Sequence, residues 1–214
     1  MAHVMPRHDR VRSPVSRSQV ASTAARLMAQ DGLTDYAVAK KKAARQLGLH
    51  EHVALPDDSE VAAELRLYQA LYQHDEHPGL LRSLRETARD VMLILDRYRP
   101  YLTGSVLDGT AGEHAEVDLQ IFADSAKEVE IFLLDQGIEF EHATPRNDKA
   151  EAVLVLSTEV ADVNLIIYPS QVERISFKYR DGRPRERIRL PALETLLRES
   201  MPAAPTPPSN PQQT

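Results

Sequence analysis

The sequence predicts an α+β fold, in which a helical N-terminal region packs on a small mixed β-sheet. Two observations predict this class. Apolar residues recur at helical spacing through the first hundred residues, and from Pro100 onward they form short alternating or continuous runs that are typical of strands. The chain has 214 residues, which is enough to bury a substantial core.

Four helices are predicted in the region 18–99. The first begins at Ser18, and the second begins at Asp35, whose side chain can cap it, and ends at Gly48. The third, LPDDSEVAAELRLYQALYQ, opens with capping Asp and Ser residues, and the fourth, GLLRSLRETARDVMLILDRYR, keeps helical apolar spacing until Pro100. The predicted apolar face of the third helix consists of Val61, Leu65, Tyr68, Leu71 and Tyr72.

The region 100–199 is predicted to contain strands and helices in the order β–β–α–β–β–β–α. YLTGSVL and AEVDLQIFAD are predicted as strands, and SAKEVEIFLLDQGI as a helix with a Ser cap. EAVLVLSTEVADVNLIIYP has the composition of two adjacent strands. VERISFKYRDGRPRERIRLP is a hairpin candidate with its turn at Asp181–Gly182, and PALETLLRES is predicted as a closing helix.

Both ends of the chain are predicted to be disordered. Residues 1–17 form a basic arm with no apolar segment behind it, so they do not resemble a secretory signal, and residues 200–214 are rich in proline. The sequence has no cysteine, which excludes disulfides, zinc–thiolate sites and a cysteine nucleophile. It also has no apolar run of membrane-spanning length. These features predict a cytoplasmic protein with no membrane partner; they do not determine its oligomeric state.

Charge is segregated along the chain. Residues 1–50 carry a net charge of +6, residues 51–170 carry −15 and residues 171–214 carry +3. Basic ends can bind polyanions, and an acidic middle can bind cations. A solvated surface with an accidental bias explains the same distribution, so charge alone does not choose a function.

The segment LTGSVLDGTAGEHAEVDLQIF, residues 102–122, contains the candidate site. Side chains alternate along a strand, so Glu116, Asp118 and Gln120 are expected on one face. Carboxylates two residues apart lie roughly 7 Å apart at their Cα atoms, and both can reach Mg²⁺, which prefers oxygen ligands. Upstream, Gly104–Ser105 can form a turn whose backbone N–H groups and hydroxyl face a phosphate.

The Gly-Ser pair, a spacer of ten residues and the run EVDL together resemble the nucleotidyltransferase signature of the DNA polymerase β superfamily. The resemblance covers about residues 80–197 and implies a short mixed sheet flanked by helices. It implies that Gly104 and Ser105 bind a nucleoside triphosphate, and that Glu116 and Asp118 are catalytic and bind Mg²⁺. The implied reaction transfers a nucleotidyl group to an acceptor hydroxyl of a nucleic acid, a protein or a small molecule, among which the sequence does not choose.

The superfamily usually supplies a third carboxylate from a later strand. In the segment ADVNLIIYP the aligned position is Asn164, which cannot act as a base, and Asp162, two residues earlier on the same face, is the candidate third catalytic acid. Asn164 favours an alternative, a catalytically lapsed member that serves as a binding module for nucleic acid or a protein partner. A third interpretation is a strand whose acids only face water and oppose aggregation.

The predicted hairpin is strongly basic. Within it, Arg183 and Arg185 are the candidates for binding the triphosphate, and the hairpin as a whole can meet an acceptor nucleic acid. A cationic strand pair that balances the acidic middle of the chain is the alternative.

Two helical segments, AVAKKKAARQLGL and LRLYQALY, carry a second resemblance, to an uncharacterised bacterial family sometimes labelled UDP-N-acetylmuramate–alanine ligase. Such a ligase needs a Gly-rich loop that ends in Gly-Lys-Thr or Gly-Lys-Ser. The sequence contains no loop of this kind, so ligase activity is not predicted.

Overall fold

The computed structural model describes residues 14–49, 54–178 and 184–200. Over these ranges the fold is α+β, as the sequence predicts. The helices are α1 (Pro14–Asp31), α2 (Tyr36–Gln46), α3 (Asp58–Tyr72), α4 (His77–Ile94), α5 (Ser105–Asp108), α6 (Ala126–Asp135) and α7 (Leu190–Glu199). Because α1 begins at Pro14, the last part of the predicted basic arm is helical; the rest of the arm and nearly all of the Pro-rich tail lie outside the described residues.

Local capping explains where three of these helices begin. Asp35 accepts hydrogen bonds from the backbone N–H groups of the first turn of α2, and Asp57 forms a reciprocal capping box with Glu60 at the start of α3. Ser125 caps α6 through the N–H of Glu128. The predicted apolar face of α3 is only partly correct, because Leu71 and Tyr72 at its last turn are exposed.

The strands form one mixed sheet in the order β3-β4-β5-β2-β1-β6. β2 and β5 are parallel, and the other neighbouring pairs are antiparallel. The strands are β1 (Tyr101–Thr103), β2 (Val117–Ala123), β3 (Glu141–Ala143), β4 (Ala152–Ser157), β5 (Asp162–Pro169) and β6 (Arg187–Ile188). The two central strands thus come from segments that are far apart in the sequence.

One part of the strand prediction is wrong, and the structure describes another part incompletely. YLTGSVL is not one strand, because β1 ends at Thr103 and Ser105 already belongs to α5; Gly104, with a left-handed φ of 78°, turns the chain between them. Among its described residues, the basic segment forms an antiparallel bridge between Lys178 and Pro184 and the short strand β6, which pairs with β1. Its predicted turn at Asp181–Gly182 lies outside the described residues.

The buried apolar residues form two clusters, and the division between them falls between α3 and α4. One cluster joins α1, α2 and α3 and contains Val20, Ala24 and Leu65. The larger one joins α4, the sheet, α6 and α7, and contains Leu119 and Leu165. α4 therefore packs with the sheet, although the sequence groups it with the N-terminal helices.

Polar contacts connect the two clusters around the segment that follows α5. Nε2 of Gln69 on α3 donates to the carbonyl of Thr110 at 3.3 Å, and Nε of Arg66 on the same helix donates to the carbonyl of Asp108 at 3.1 Å. The α5–β2 connection is therefore held from the helical side.

None of the helices in the part of the chain that the structure describes combines the length and the apolar character needed to cross a lipid bilayer.

Leu119→Ala is expected to lower the free energy of unfolding by about 2–5 kcal/mol, because Leu119 is fully buried at the centre of the sheet and its truncation leaves a cavity. Leu134→Ala is the matched control, since Leu134 is 64% exposed on α6, and its cost should stay within about 0.5 kcal/mol. Urea denaturation of both variants measures the difference. Similar costs for the two would show that the sheet centre is not the main core.

Candidate active site

The backbone of Gly104 lies against the side chain of Asp118. Gly104 has φ 78° and ψ −159°, a combination that is essentially restricted to glycine. A Cβ atom added at this position would lie 2.9 Å from Oδ2 of Asp118. The glycine of the predicted Gly-Ser turn is therefore required both by its backbone conformation and by the carboxylate beside it.

Asp118 and Asn164 are direct neighbours on the parallel strands β2 and β5. Nδ2 of Asn164 donates to Oδ1 of Asp118 at 3.0 Å and to Oε2 of Glu116 at 2.8 Å. Both partners are acceptors, which determines the orientation of the amide. One amide group thus holds both predicted acids together, and the residue that the sequence aligned with the third acid lies beside them.

The two carboxylates have different electrostatic environments. Glu116 is exposed, and Nη2 of Arg146 lies 3.4 Å from its Oε2. Asp118 is mostly buried, and this burial raises its pKa. The hydrogen bond from Asn164 and the charges of Arg146 and Arg185 lower the pKa of Asp118, while the charge of Glu116 raises it. Because burial is the largest of these effects, a positive charge placed beside Asp118 would favour its ionised form.

The other predicted site residues have separate positions. Asp162 is exposed at the first position of β5, and its Oδ1 accepts a hydrogen bond from Oγ of Ser157 at 3.0 Å. Arg185 is close enough for its charge to lower the pKa of Asp118. Arg183 lies outside the described residues. The structure therefore brings Glu116, Asp118 and Asn164 into direct contact, and shows Asp162 bonded to the neighbouring strand.

Two further arginines of the predicted basic hairpin pack on the sheet. The guanidinium of Arg187 lies 4.4 Å from the ring centroid of Tyr101 and donates to Oε1 of Gln120 at 3.3 Å. The guanidinium of Arg189 lies 4.6 Å from the same centroid and pairs with Glu173 at 2.8 Å. Gln120 is consequently buried under an arginine. The sequence predicted the face of the sheet that it shares with the two acids, but not that this part of the face is covered.

The turn is supported by Arg85, which sequence analysis did not identify. Arg85 on α4 is 7% exposed, and its guanidinium donates to the carbonyls of Val106 at 3.1 Å and Leu107 at 3.3 Å. These carbonyls belong to α5, where a short helix leaves acceptors without intrahelical partners. Burial lowers the pKa of Arg85. An arginine in an amphipathic helix gives no sequence signal for this role, because its partners come from a later segment.

The oxygen donors at this point suit Mg²⁺. The carboxylates of Glu116 and Asp118 are hard ligands, and Mg²⁺ typically binds one or two carboxylates while waters and phosphate oxygens complete its shell. Within the described residues, no group of three or more His, Cys, Asp or Glu side chains is placed to hold a metal ion. The two carboxylates therefore match the small number of protein ligands that Mg²⁺ typically binds.

Comparisons of the chain with protein-family models, with curated proteins and with solved structures find no significant match in any of the three.

Gly104→Ala is expected to destabilise the protein and to displace Asp118, because the added methyl group would meet Oδ2 of Asp118 at 2.9 Å. Gly137→Ala is the matched control, since Gly137 also has a left-handed φ of 70° but has nothing within 4 Å of an added Cβ. In urea unfolding, the control should lose about 1–2 kcal/mol of the free energy of unfolding, from backbone strain alone. Gly104→Ala should lose more. Equal losses would mean that the Asp118 side chain moves aside at no cost.

Asp118→Asn is expected to remove a pH dependence of stability. Burial raises the folded-state pKa of Asp118, so the unfolded chain loses this proton first as pH rises. The folded state is then progressively destabilised from about pH 4, the unfolded-state value, up to the higher folded-state pKa, whereas below this window both states are protonated.

Thermal unfolding in EDTA over a pH series measures this effect as the difference between wild type and Asp118→Asn. The wild type should lose stability relative to the variant as pH rises through the window. Asp162→Asn removes an exposed carboxylate of the same type and should follow the wild-type curve. Parallel curves for wild type and Asp118→Asn would contradict the expectation.

Proposed function

We propose that this protein is a Mg²⁺-dependent nucleotidyltransferase with its centre at Glu116, Asp118 and Asn164. The single observation that carries the proposal is that one amide joins both carboxylates beside a turn that only glycine can form. A strand whose acids only faced water would require neither the burial of Asp118 nor the close approach of Gly104. The contact of Asn164 with both carboxylates, next to the buried Asp118 and the Gly104 turn, therefore favours phosphate and metal chemistry over a solvated sheet face.

The order of elements supports the same function. β1 ends at Thr103, the Gly-Ser turn and α5 follow, and β2 then returns antiparallel to β1 with Asp118 opposite Thr103. β5 adds Asn164 from the other side in parallel. A mixed sheet with helices beside it supports the proposal, since the resemblance to the polymerase β superfamily implies a short mixed sheet flanked by helices.

In the proposed reaction, the oxygen of an acceptor hydroxyl forms a bond to the α-phosphorus of a nucleoside triphosphate. The bond from that phosphorus to the oxygen bridging to the β-phosphorus breaks, and pyrophosphate leaves. The hydroxyl proton passes to solvent water, while the carboxylates of Glu116 and Asp118 would hold the cation and orient the attacking oxygen. Mg²⁺, when bound, neutralises charge on the phosphate oxygens.

The remaining groups position the triphosphate. The backbone N–H groups and the hydroxyl of Ser105 donate to phosphate oxygens, and Arg185 supplies positive charge. Asn164 holds the two carboxylates in a common orientation through its amide N–H groups. We assign the reaction to the cytoplasm, which the cysteine-free sequence supports.

A second candidate function is a nucleotidyltransferase fold that has lost catalysis and binds nucleic acid or a protein partner. Two observations favour it. Asn164 stands where the superfamily usually has a third acid, and an amide cannot act as a base. Arg146 additionally lies near Glu116, where it neutralises charge that a metal ion would otherwise balance. Salt-sensitive nucleic-acid binding that EDTA does not affect is the property that would distinguish this module from the enzyme.

Calorimetric titration with ATP, GTP, CTP and UTP, with and without Mg²⁺, tests the proposed function. At least one triphosphate is expected to bind in a Mg²⁺-dependent manner, and Asp118→Ala should weaken it by about tenfold or more, since a charged partner of the bound cation is lost. Asp75→Ala is the control, because the Asp75 side chain is 85% exposed on the α3–α4 connection.

Two outcomes would contradict the proposed function. The first is the absence of binding for every triphosphate in both conditions. The second is binding that neither EDTA nor Asp118→Ala changes. Either result would favour the binding module.

A further inference from the structure

A cavity of about 200 Å³ adjoins the candidate active site. Its walls come from the end of α1 and the following loop, from α2 and α3, and from the segment that leads from α5 to β2. Ser105 and Ala115 both line it, and they are the chain neighbours of Gly104 and Glu116. A ligand bound in this cavity would therefore lie next to the turn and the acidic strand.

Gln69, on the cavity wall, has an unpaired acceptor. Its side chain is 3% exposed, and its Nε2 donates to the carbonyl of Thr110 at 3.3 Å. Its Oε1 is buried and has no hydrogen-bond partner among the described residues. Because the Thr110 carbonyl can only accept, this contact determines which end of the amide remains unpaired. A buried acceptor without a donor is costly, and a ligand that brings an N–H group relieves that cost.

The rest of the lining selects the kind of group that can enter. Apolar surface comes from Met28, Leu33 and Leu65, and the aromatic ring of Tyr36 lies among them. Of the described residues that line the cavity, none is Lys or Arg. The lining also includes Asp31, Glu113 and His114. A phosphate would therefore meet acidic side chains, whereas a flat, neutral ring with N–H donors meets apolar surface and acceptors.

We propose that this cavity binds the nucleobase of the triphosphate, through an exocyclic amino group that donates to Oε1 of Gln69. The inference rests on the proposed function, because it assigns the base end of the same nucleotide. The volume exceeds that of several waters, at about 30 Å³ each, and is smaller than the roughly 300–1,000 Å³ of pockets for larger ligands. One ring system fits it better than a whole nucleotide. Because Oε1 is covered in this structure, the base is expected to displace the Gln69 side chain slightly.

Nucleosides test the cavity without phosphate or metal. Calorimetry in EDTA compares three pairs in which the second member lacks the amino group: adenosine and purine riboside, guanosine and inosine, and cytidine and 2-pyrimidinone riboside. At least one amino-bearing nucleoside should bind about tenfold more tightly than its partner, since the partner leaves Oε1 unpaired. Equal affinities in all three pairs, or no nucleoside binding, would overturn the inference.

Gln69→Met tests the residue itself, because it removes the amide while keeping a side chain of similar length. The variant should bind the amino-bearing nucleoside about tenfold more weakly and should no longer distinguish the pair. Gln73→Met is the matched control, as Gln73 follows α3 and lies outside this cavity. In Gln69→Met the Thr110 carbonyl loses its hydrogen-bond donor, so unfolding curves are needed to show that the variant is folded. If the variant is unfolded, the comparison of nucleoside pairs on the wild-type protein tests the inference.

Failure of this inference and failure of the proposed function give different results. In one case, triphosphate binding depends on Mg²⁺ and is abolished by Asp118→Ala, but the two members of every nucleoside pair bind equally. This result would overturn only the proposed base site. In the other case, nucleoside binding is selective and depends on Gln69, but triphosphate binding is insensitive to Asp118→Ala. This result would overturn the transferase function and retain the base site.

Discussion

The parallel pairing of β2 with β5 is the constraint on which the rest of the structure depends. It aligns Asp118 with Asn164 on one face of the sheet and Leu119 with Leu165 on the other. Because both leucines are fully buried, a slip of one residue in either strand would move a polar side chain into the core and a leucine to the site. The register that forms the core therefore also places the carboxylate, so the stability of the sheet and the geometry of the site depend on the same pairing.

The sheet face that carries Asp118 is partly covered by other side chains, and this cover explains why Asp118 is mostly buried. Further along the same strands, Phe122 stacks on Tyr168 with ring centroids 5.6 Å apart, and Arg187 lies 5.2 Å from the centroid of Phe122. This layer covers the middle of the face, while Glu116, just before β2, stays exposed. Asp118 lies between the covered part and the exposed part. This burial raises the pKa of Asp118.

Features that depend on neighbours in sequence could be predicted. Asp35, Asp57 and Ser125 cap helices near the positions that the sequence indicates, because a cap needs only the backbone of the following turn. The alternation along β2 was predicted for the same reason, although Gln120 proved to be buried under an arginine from a distant segment. The short strand β3 was missed, because its three residues are exposed and have no apolar pattern.

The sequence by itself determined the Gly-Ser turn, the acidic alternation at Glu116 and Asp118, and the presence of an amide where a third acid was expected. Only the tertiary structure decided which of these groups meet. Asn164 bonds Glu116 across 48 positions of the chain, and Arg85 and Gln69 reach the turn and the following segment from separate helices. The physical reason is that caps and alternation follow from local backbone geometry, whereas these contacts follow from the packing of distant elements, which no local pattern encodes.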